Sequence, residues 1–167
     1  MIMEIPAQRI EGLKALATIK KALATGAATQ DIVAEANKEI ELHPSLDRTL
    51  GVRYRSLARD SVTIACEVTW EHTQPVGLAN GGLFASLGET AGSMAGFLAV
   101  DNSMQVMGTT NTTEFLRPAF PGDVIISSAR AIHLGRTSQL WRIEHTNEKT
   151  GKLLAITSLR TAVRPIG

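Results

Sequence analysis

The sequence predicts an α+β protein in which a curved antiparallel sheet wraps around one long helix, with a helical extension in front of it. Between His72 and Asp101 only one residue is charged, and the stretch GLFASLGETAGSMAGFLA within it is long enough for a buried helix. Near Leu50 the apolar pattern changes from helical to alternating, and four strand-like segments follow the helix. We therefore expect a helical extension at residues 1–47 and a sheet domain at residues 48–167.

The charges of the chain are nearly balanced, with 17 Lys and Arg against 16 Asp and Glu in 167 residues. This balance does not predict nucleic acid or an anionic membrane surface as a partner, and no segment is charge-free enough to span a bilayer. The single cysteine, Cys66, cannot form an internal disulfide, and the first residues lack the pattern of a secretory signal. We expect a cytoplasmic protein, in which the acceptor-type sequence Asn111-Thr112-Thr113 is not glycosylated.

The extension is predicted to contain two amphipathic helices. The first covers residues 7–24 and carries one apolar stripe: Ile10, Leu13, Leu16, Ile19 and Leu23. Gly26 is a plausible terminator of this helix, and Thr29 is a suitable N-cap for the second. His43-Pro44 should stop the second helix. The apolar sides of both helices must be buried against the rest of the protein.

The sheet domain is predicted to begin with strand structure and to continue after the long helix with four more strands. The first strand places four apolar side chains on one face: Val62, Ile64, Cys66 and Val68. Cys66 is therefore expected in the core and not as a nucleophile. The later segments are residues 104–117, 123–134, 138–147 and 153–164, with turn sequences between them. We expect these four to pair in chain order as a meander.

The long helix is predicted over residues 83–100 and is rich in glycine. Gly88, Gly92 and Gly96 recur every four residues, so they share one side of the helix. Each glycine inside a helix costs about 1 kcal/mol relative to alanine. Their presence indicates that backbone from the sheet or from a partner chain comes very close to this side.

Glu89 is the one charged residue of this helix, and we take it as the catalytic candidate. A carboxylate among apolar neighbours is costly to desolvate, so packing alone does not explain it. The alternative is a buried structural carboxylate that pairs with a distant arginine such as Arg117.

Four short motifs follow one another along the sheet domain. They are Gln74-Pro75-x-Gly77-x-x-Asn80-Gly81-Gly82, Glu89-x-x-Gly92-Ser93, Phe115-Leu116-Arg117-Pro118 and His133-Leu134-Gly135-Arg136. In this order they resemble the hotdog-fold acyl-CoA thioesterases, in the branch with the phenylacetate-pathway, 4-hydroxybenzoyl-CoA and 1,4-dihydroxy-2-naphthoyl-CoA thioesterases. The resemblance covers residues 48–165. It departs at Asn80, where the family often has histidine, and this bears on substrate or rate and not on the fold.

The resemblance implies hydrolysis of an aryl- or medium-sized acyl-CoA, with Glu89 as nucleophile or general base. The sequence leaves both roles open. The backbone N–H groups of Gly81 and Gly82 lie at the positive end of the helix, where they are suitable, unpaired donors to a developing oxyanion. Gln74 matches a position that helps to bind the reacting group, although it could instead satisfy the backbone of its loop. Ser93, one turn after Glu89, could bond the carboxylate or could serve only close packing.

The spacing along the helix adds a prediction about assembly. Gly82 and Glu89 are seven residues apart, which corresponds to roughly 10 Å along one helix. One small carbonyl group cannot easily contact both. We expect two antiparallel helices to meet across a homodimer, so that the glycines of one copy face Glu89 of the other. The resemblance further implies a dimer of dimers, which is a homotetramer.

Coenzyme A is expected as part of the substrate, and neither a cofactor nor a metal is expected. Arg136 and Arg117 are candidates to bind its phosphates, together with His133 and Gly135 in the resembling segment. The four histidines show no metal-ligand spacing: His43, His72, His133 and His145. No Ser-His-Asp or Cys-His set stands out.

Two other functions remain open at this point. Hotdog domains also occur as acyl-CoA sensors joined to DNA-binding helices, and the helical extension invites that comparison. Against it, residues 1–48 hold six Lys or Arg and seven Asp or Glu, whereas a DNA-binding module should be basic. A hotdog hydratase or dehydratase would need an Asp/His pair that cannot be placed around the long helix.

Overall fold

The computed structural model describes residues 7–25 and 29–166. Its α-helices are α1 (Ala7–Ala24), α2 (Thr29–Leu42), α3 (Leu46–Thr49) and α4 (Gly81–Ala99). Its strands are β1 (Arg53–Leu57), β2 (Ser61–Glu67), β3 (Met104–Phe115), β4 (Val124–Leu134), β5 (Ser138–Asn147) and β6 (Leu153–Pro165). A short 3-10 helix, Trp70–His72, lies between β2 and α4. The predicted α+β class is confirmed.

The strands form one antiparallel sheet in the order β1-β2-β4-β5-β6-β3. The three strands β4, β5 and β6 are neighbours in chain order, as predicted. The expected meander is wrong at its first step, because β3 does not pair with β4. It pairs with β6 instead, from Met104 opposite Pro165 to Phe115 opposite Ala155. The two edges of the sheet are therefore β1 and β3.

The connection between β3 and β4 explains this difference. Residues 116–123 contain two prolines, which have no backbone N–H to donate to a strand pairing. The segment runs across the end of the sheet. There the Ala119 carbonyl accepts from the Ala79 N–H at 2.9 Å, and the Gly122 N–H donates to the Val68 carbonyl at 2.9 Å. A stretch that resembles a tight turn in the sequence is thus a crossing connection.

The sheet wraps α4, which packs against β2, β3, β4, β5 and β6. The glycine side of α4 faces the sheet. A Cβ atom at Gly88 would lie 2.6 Å from the Thr157 side chain, and one at Gly92 would lie 2.5 Å from the Leu159 side chain. A Cβ atom at Gly96 would likewise lie 2.7 Å from the Gln139 side chain. The sheet does come close to this side of α4, but the nearest atoms belong to its side chains and not, as predicted, to its backbone.

The extension covers the free edge of β1. The Asn37 side chain in α2 donates to the Tyr54 carbonyl at 3.0 Å and accepts from the Tyr54 N–H at 2.7 Å, so it takes the place of a partner strand. Ile32, Ala36 and Ile40 of the same helix are buried in one core with the sheet. Within the described residues no strand pairs with the outer edge of β3. An uncovered edge strand is a template for pairing with another chain.

The first helix has its predicted bounds, and Ile19 is buried as its apolar stripe requires. The side chains of Ile10, Leu13 and Thr29, and Gly26 as a whole, lie outside the described residues, so those predictions are not addressed. Across residues 7–25 and 29–166, no helix combines the length and apolar character needed to span a membrane.

Cys66 is a core residue, as the strand pattern predicted. It is 1% exposed, and its Sγ donates to the Leu50 carbonyl at 3.1 Å. Burial raises the pKa of this thiol to about 11. Since a thiolate is the nucleophilic form of cysteine, Cys66 is unsuited to nucleophilic chemistry near neutral pH.

Candidate active site

Glu89 lies half-buried on α4 and is held by a hydrogen bond at each carboxylate oxygen. The Ser93 hydroxyl donates to Oε1 at 3.1 Å, and the Asn111 amide donates from Nδ2 to Oε2 at 3.0 Å. Within the described ranges Glu89 forms no ion pair. The Arg117 guanidinium instead donates to the Leu153 carbonyl at 2.7 Å. Of the two roles left open for Ser93, the bond to the carboxylate is present. The alternative of a structural ion pair between Glu89 and Arg117 is wrong.

The edge strand β3 approaches Glu89 at Gly108. A Cβ atom at this position would overlap Oε1 of the carboxylate, so no other residue fits without moving Glu89. The strand pairing shifts register between Gly108 and Thr110, which marks a β-bulge beside the carboxylate. Bulges of this kind re-aim side chains near functional sites. Glu89 therefore lies next to β3, the edge strand whose outer side pairs with no strand among the described residues.

The start of α4 carries the predicted oxyanion donors. Asn80 caps the helix: its Oδ1 accepts from the Gly82 N–H at 2.8 Å, and its carbonyl accepts from the Leu83 N–H at 3.0 Å. The prediction that Gly82 is unpaired is therefore wrong, because an asparagine at the N-cap takes this donor. The Gly81 N–H has no acceptor among the described residues. Phe115 lies beside it, with a ring carbon 2.8 Å from where a Cβ of Gly81 would be.

Gln74 lies in the turn before α4. Its Oε1 accepts from the Val76 N–H at 3.2 Å, and its carbonyl accepts from the Gly77 N–H at 2.8 Å. Gln74 therefore does bond the backbone of its own loop, which was one of its two predicted roles. The amide Nε2 has no acceptor in the part of the chain that the structure describes, so its two N–H groups are available to a ligand.

The four residues expected to bind coenzyme A divide between two ends of the sheet. The Arg117 N–H donates to the Leu154 carbonyl, at the start of β6. His133, Gly135 and Arg136 lie at the β4–β5 hairpin, which meets β6 near its end through a bond from the Val163 N–H to the Thr137 carbonyl. Leu154 and Val163 are nine positions apart on β6, which corresponds to roughly 30 Å along the strand. Arg117 and Arg136 of one copy therefore do not bind the same phosphate.

A series of hydrogen-bonded polar side chains that leads from Glu89 into the core was not predicted from the sequence. His145 is fully buried; its Nδ1 lies 2.8 Å from the Ser127 hydroxyl and its Nε2 lies 2.9 Å from the Thr157 hydroxyl. The Thr157 hydroxyl lies 2.8 Å from that of Thr113, which donates to Asn111 Oδ1 at 3.2 Å. One feature of the sequence could have indicated it: Asn111 and Thr113 are polar at alternate positions of a strand, so they share one face.

His145 should make the stability of the fold depend on pH. Burial lowers its pKa from 6.5 to about 4. Between these values the unfolded chain binds a proton that the folded chain excludes, so this contribution is complete above the unfolded pKa and declines as the pH falls toward the folded one. Lowering the pH from about 7.5 to about 5 should remove about 2 kcal/mol of the free energy of unfolding through this group.

Urea unfolding at fixed protein concentration checks this prediction. His145→Gln is the comparison, because glutamine keeps a neutral donor but does not titrate. The free energy of unfolding of the wild type, relative to the variant, should be about 2 kcal/mol smaller at the lower pH. The same difference at both pH values would show that His145 is not held neutral by burial.

The described chain contains no cluster of three or more His, Cys, Asp or Glu side chains that could hold a metal ion.

Comparisons with known proteins place these residues in a family context. The family model described as "Thioesterase superfamily" matches residues 76–154. The putative esterase PA1618 of Pseudomonas aeruginosa is 37% identical over 123 residues, which are 73% of this chain and 83% of that protein. The proofreading thioesterase EntH of Klebsiella pneumoniae is 39% identical over 114 residues, 68% of this chain and 82% of that one.

A solved structure supports the same relation. The thioesterase HI1161 of Haemophilus influenzae superposes with a TM-score of 0.73 and 28% sequence identity, over 80% of this chain and 90% of that one.

Proposed function

Because the chain belongs to the thioesterase superfamily and is a thioester hydrolase, we propose that it hydrolyses acyl-coenzyme A with an aryl or medium-sized acyl group. The products are the free acid and coenzyme A. One observation carries the proposal: Glu89 is the only acidic residue of α4, lies half-exposed without an ion pair among the described residues, and is oriented by Ser93 and Asn111. An oriented carboxylate with free lone pairs can attack a thioester carbonyl or take a proton from water.

Glu89 acts in one of two ways that share the same products. As a nucleophile, its oxygen bonds to the acyl carbon and the thiolate of coenzyme A leaves; water then hydrolyses the acyl-enzyme. As a general base, Glu89 takes a proton from water, the hydroxide adds to the acyl carbon, and the thiolate leaves. In both cases negative charge develops on the carbonyl oxygen. The Gly81 N–H, which lies at the positive end of α4 and has no acceptor among the described residues, is the proposed donor to that oxygen.

The reacting groups come from two copies of the chain. Gly81 and Glu89 are eight residues apart on α4, so about 12 Å of helix separates them. Glu89 lies at the uncovered edge beside β3, where a second copy could pair. This supports a homodimer whose two sites each combine Gly81 of one copy with Glu89 of the other.

The remaining assignments follow from the same proposal. Gln74 supplies its free amide N–H groups to the carbonyl or to water, and Asn80 fixes the helix start that presents Gly81. The phosphates of coenzyme A are bound either by Arg136 with His133 and Gly135, or by Arg117. Because these two groups lie at opposite ends of the sheet, only one of them in a given copy of the chain contacts the phosphates of one substrate molecule. We further propose that two dimers form a tetramer and that the enzyme is cytoplasmic. The tetramer is supported only by the family resemblance.

A substrate panel tests the proposal. Release of free thiol is followed from phenylacetyl-, benzoyl-, hexanoyl- and palmitoyl-CoA, with hexanoyl-N-acetylcysteamine as a thioester that lacks the nucleotide. We expect aryl and medium-sized acyl-CoA to react at least about tenfold faster than both palmitoyl-CoA and the truncated thioester, because remote binding energy speeds the reaction. The buried Cys66 keeps the background thiol signal low. No turnover of any thioester would refute the proposed substrate class.

A further inference from the structure

A chain of hydrogen bonds connects the half-exposed Glu89 to a histidine in the core. Resting on the proposed role of Glu89, we propose that His145 is a positioning residue that holds the Glu89 carboxylate in one orientation. It acts through three side chains that lie between them: Thr157, Thr113 and Asn111. None of these residues except Asn111 touches the carboxylate.

The orientation of the Asn111 amide is fixed by its partners. Its Nδ2 lies 3.0 Å from Glu89 Oε2 and 3.0 Å from the Ala85 carbonyl oxygen. The Ala85 carbonyl oxygen can only accept a hydrogen bond, and so can the carboxylate of an ionised Glu89. The NH₂ side of the Asn111 amide must therefore face both of them. Its Oδ1 then faces Thr113, and the Thr113 hydroxyl must donate to it, as observed at 3.2 Å.

The direction of each following bond is determined by the one before it. A hydroxyl carries one proton, so Thr113, having donated to Asn111, must accept from Thr157. Thr157 has then used its own proton and must accept from His145 Nε2. Nε2 therefore carries the imidazole proton.

The other nitrogen of His145 closes the chain. In a neutral imidazole protonated on Nε2, Nδ1 is an acceptor, and the Ser127 hydroxyl at 2.8 Å donates to it. Burial of the ring, which is 0% exposed, supports the neutral form and lowers the pKa of His145. Every donor and acceptor in the chain is satisfied by one tautomer and by one direction of every hydroxyl.

In each of the five bonds from Ser127 to Glu89, the donor is the group farther from Glu89 and the acceptor is the group nearer to it. Successive hydrogen bonds of the same direction polarise one another, so the chain strengthens the Asn111 bond to the carboxylate. Ser93 holds the opposite oxygen, and together the two bonds fix the carboxylate plane. Glycines make room for the arrangement: Gly88 admits Thr157 against α4, and Gly108 admits the carboxylate against β3.

Removing one hydroxyl from the middle of the chain tests this role. Thr157→Val keeps the shape of the side chain and should lower kcat by about 10- to 100-fold, with KM changed by less than about twofold, because the reacting group is misplaced while binding is retained. The matched control is Thr161→Val. Thr161 lies on the same strand and is equally buried at 0% exposure. Its hydroxyl donates to Gln139 Oε1, which is not part of the hydrogen-bond series that leads to Glu89. It should leave kcat within about twofold of the wild type.

Thr157→Ser restores the hydroxyl and should recover most of the lost kcat. Equal losses in Thr157→Val and Thr161→Val would overturn the proposal, because a general packing effect would then explain both. If Thr157→Val does not fold, Thr113→Val at the half-buried end of the chain takes its place.

A second measurement does not depend on activity. Nitrogen-15 NMR of the imidazole near pH 7 should show His145 neutral, with its proton on Nε2. A proton on Nδ1 would reverse the chain and overturn the positioning role whatever the substrate is. A correct tautomer combined with no thioester turnover would instead count against the proposed function alone.

Discussion

Replacing Glu89 by glutamine should lower kcat for thioester hydrolysis by about 10²- to 10⁴-fold, because a neutral amide neither attacks the carbonyl nor accepts a proton from water. The fold should tolerate this change. Glutamine has the same shape, its oxygen can accept from Asn111, and its NH₂ can donate to the Ser93 hydroxyl. Thiol-release rates at saturating substrate, together with the urea midpoint of each protein, measure the effect.

Glu67→Gln is the matched control for charge removal, since Glu67 is an exposed carboxylate on β2 away from α4. It should retain wild-type kcat. If Glu89→Gln folds normally and keeps more than about a tenth of the wild-type rate, Glu89 is neither the nucleophile nor the essential base.

Replacing Gly81 by proline should lower kcat by about 10²- to 10³-fold, because proline removes the backbone N–H proposed to bind the oxyanion. The position suits proline in other respects. Gly81 is the first residue of α4, where proline is well accepted. Asn80 before it has φ −64° and ψ 140°, which is the conformation that a residue before proline prefers.

Gly81→Ala separates the lost N–H from the added bulk. Alanine keeps the N–H but places a Cβ against the Phe115 ring, as proline also does. Because Phe115 is 59% exposed, its ring can move aside. Gly81→Ala should therefore lose much less activity than Gly81→Pro. Equal losses would mean that crowding at Phe115, and not the missing donor, is responsible.

The fold class could be predicted because its signals are local. The uncharged, glycine-rich α4 and the alternating strands are each visible within a short window of sequence. The position of β3 could not be predicted in this way. Alternation identifies a strand but not its partner. The nearest paired residues of β3 and β6, Phe115 and Ala155, are 40 positions apart, and the crossing connection at residues 116–123 determines this pairing.

The residues of the candidate site were likewise predictable where their signal is local in the sequence, and not where it depends on the folded sheet. Glu89 and Ser93 were predictable because a lone charge and a spacing of one helical turn are properties of one helix. Gly82 was assigned wrongly, since the sequence did not show that Asn80 would cap the helix with its side chain. The chain from Asn111 to His145 was missed because its bonds join strands that meet only in the folded sheet, such as Thr113 and Thr157, 44 positions apart.

The central claim is that Glu89 of one copy and Gly81 of another form a single site, and mixing two inactive variants tests it most directly. Glu89→Gln and Gly81→Pro are unfolded together and refolded, and mixed dimers are verified by native mass spectrometry. In a mixed dimer one of the two sites has both native residues. Random pairing makes half of the dimers mixed, so about a quarter of the wild-type rate should return. Verified mixed dimers no more active than the separate variants would contradict a site shared between copies.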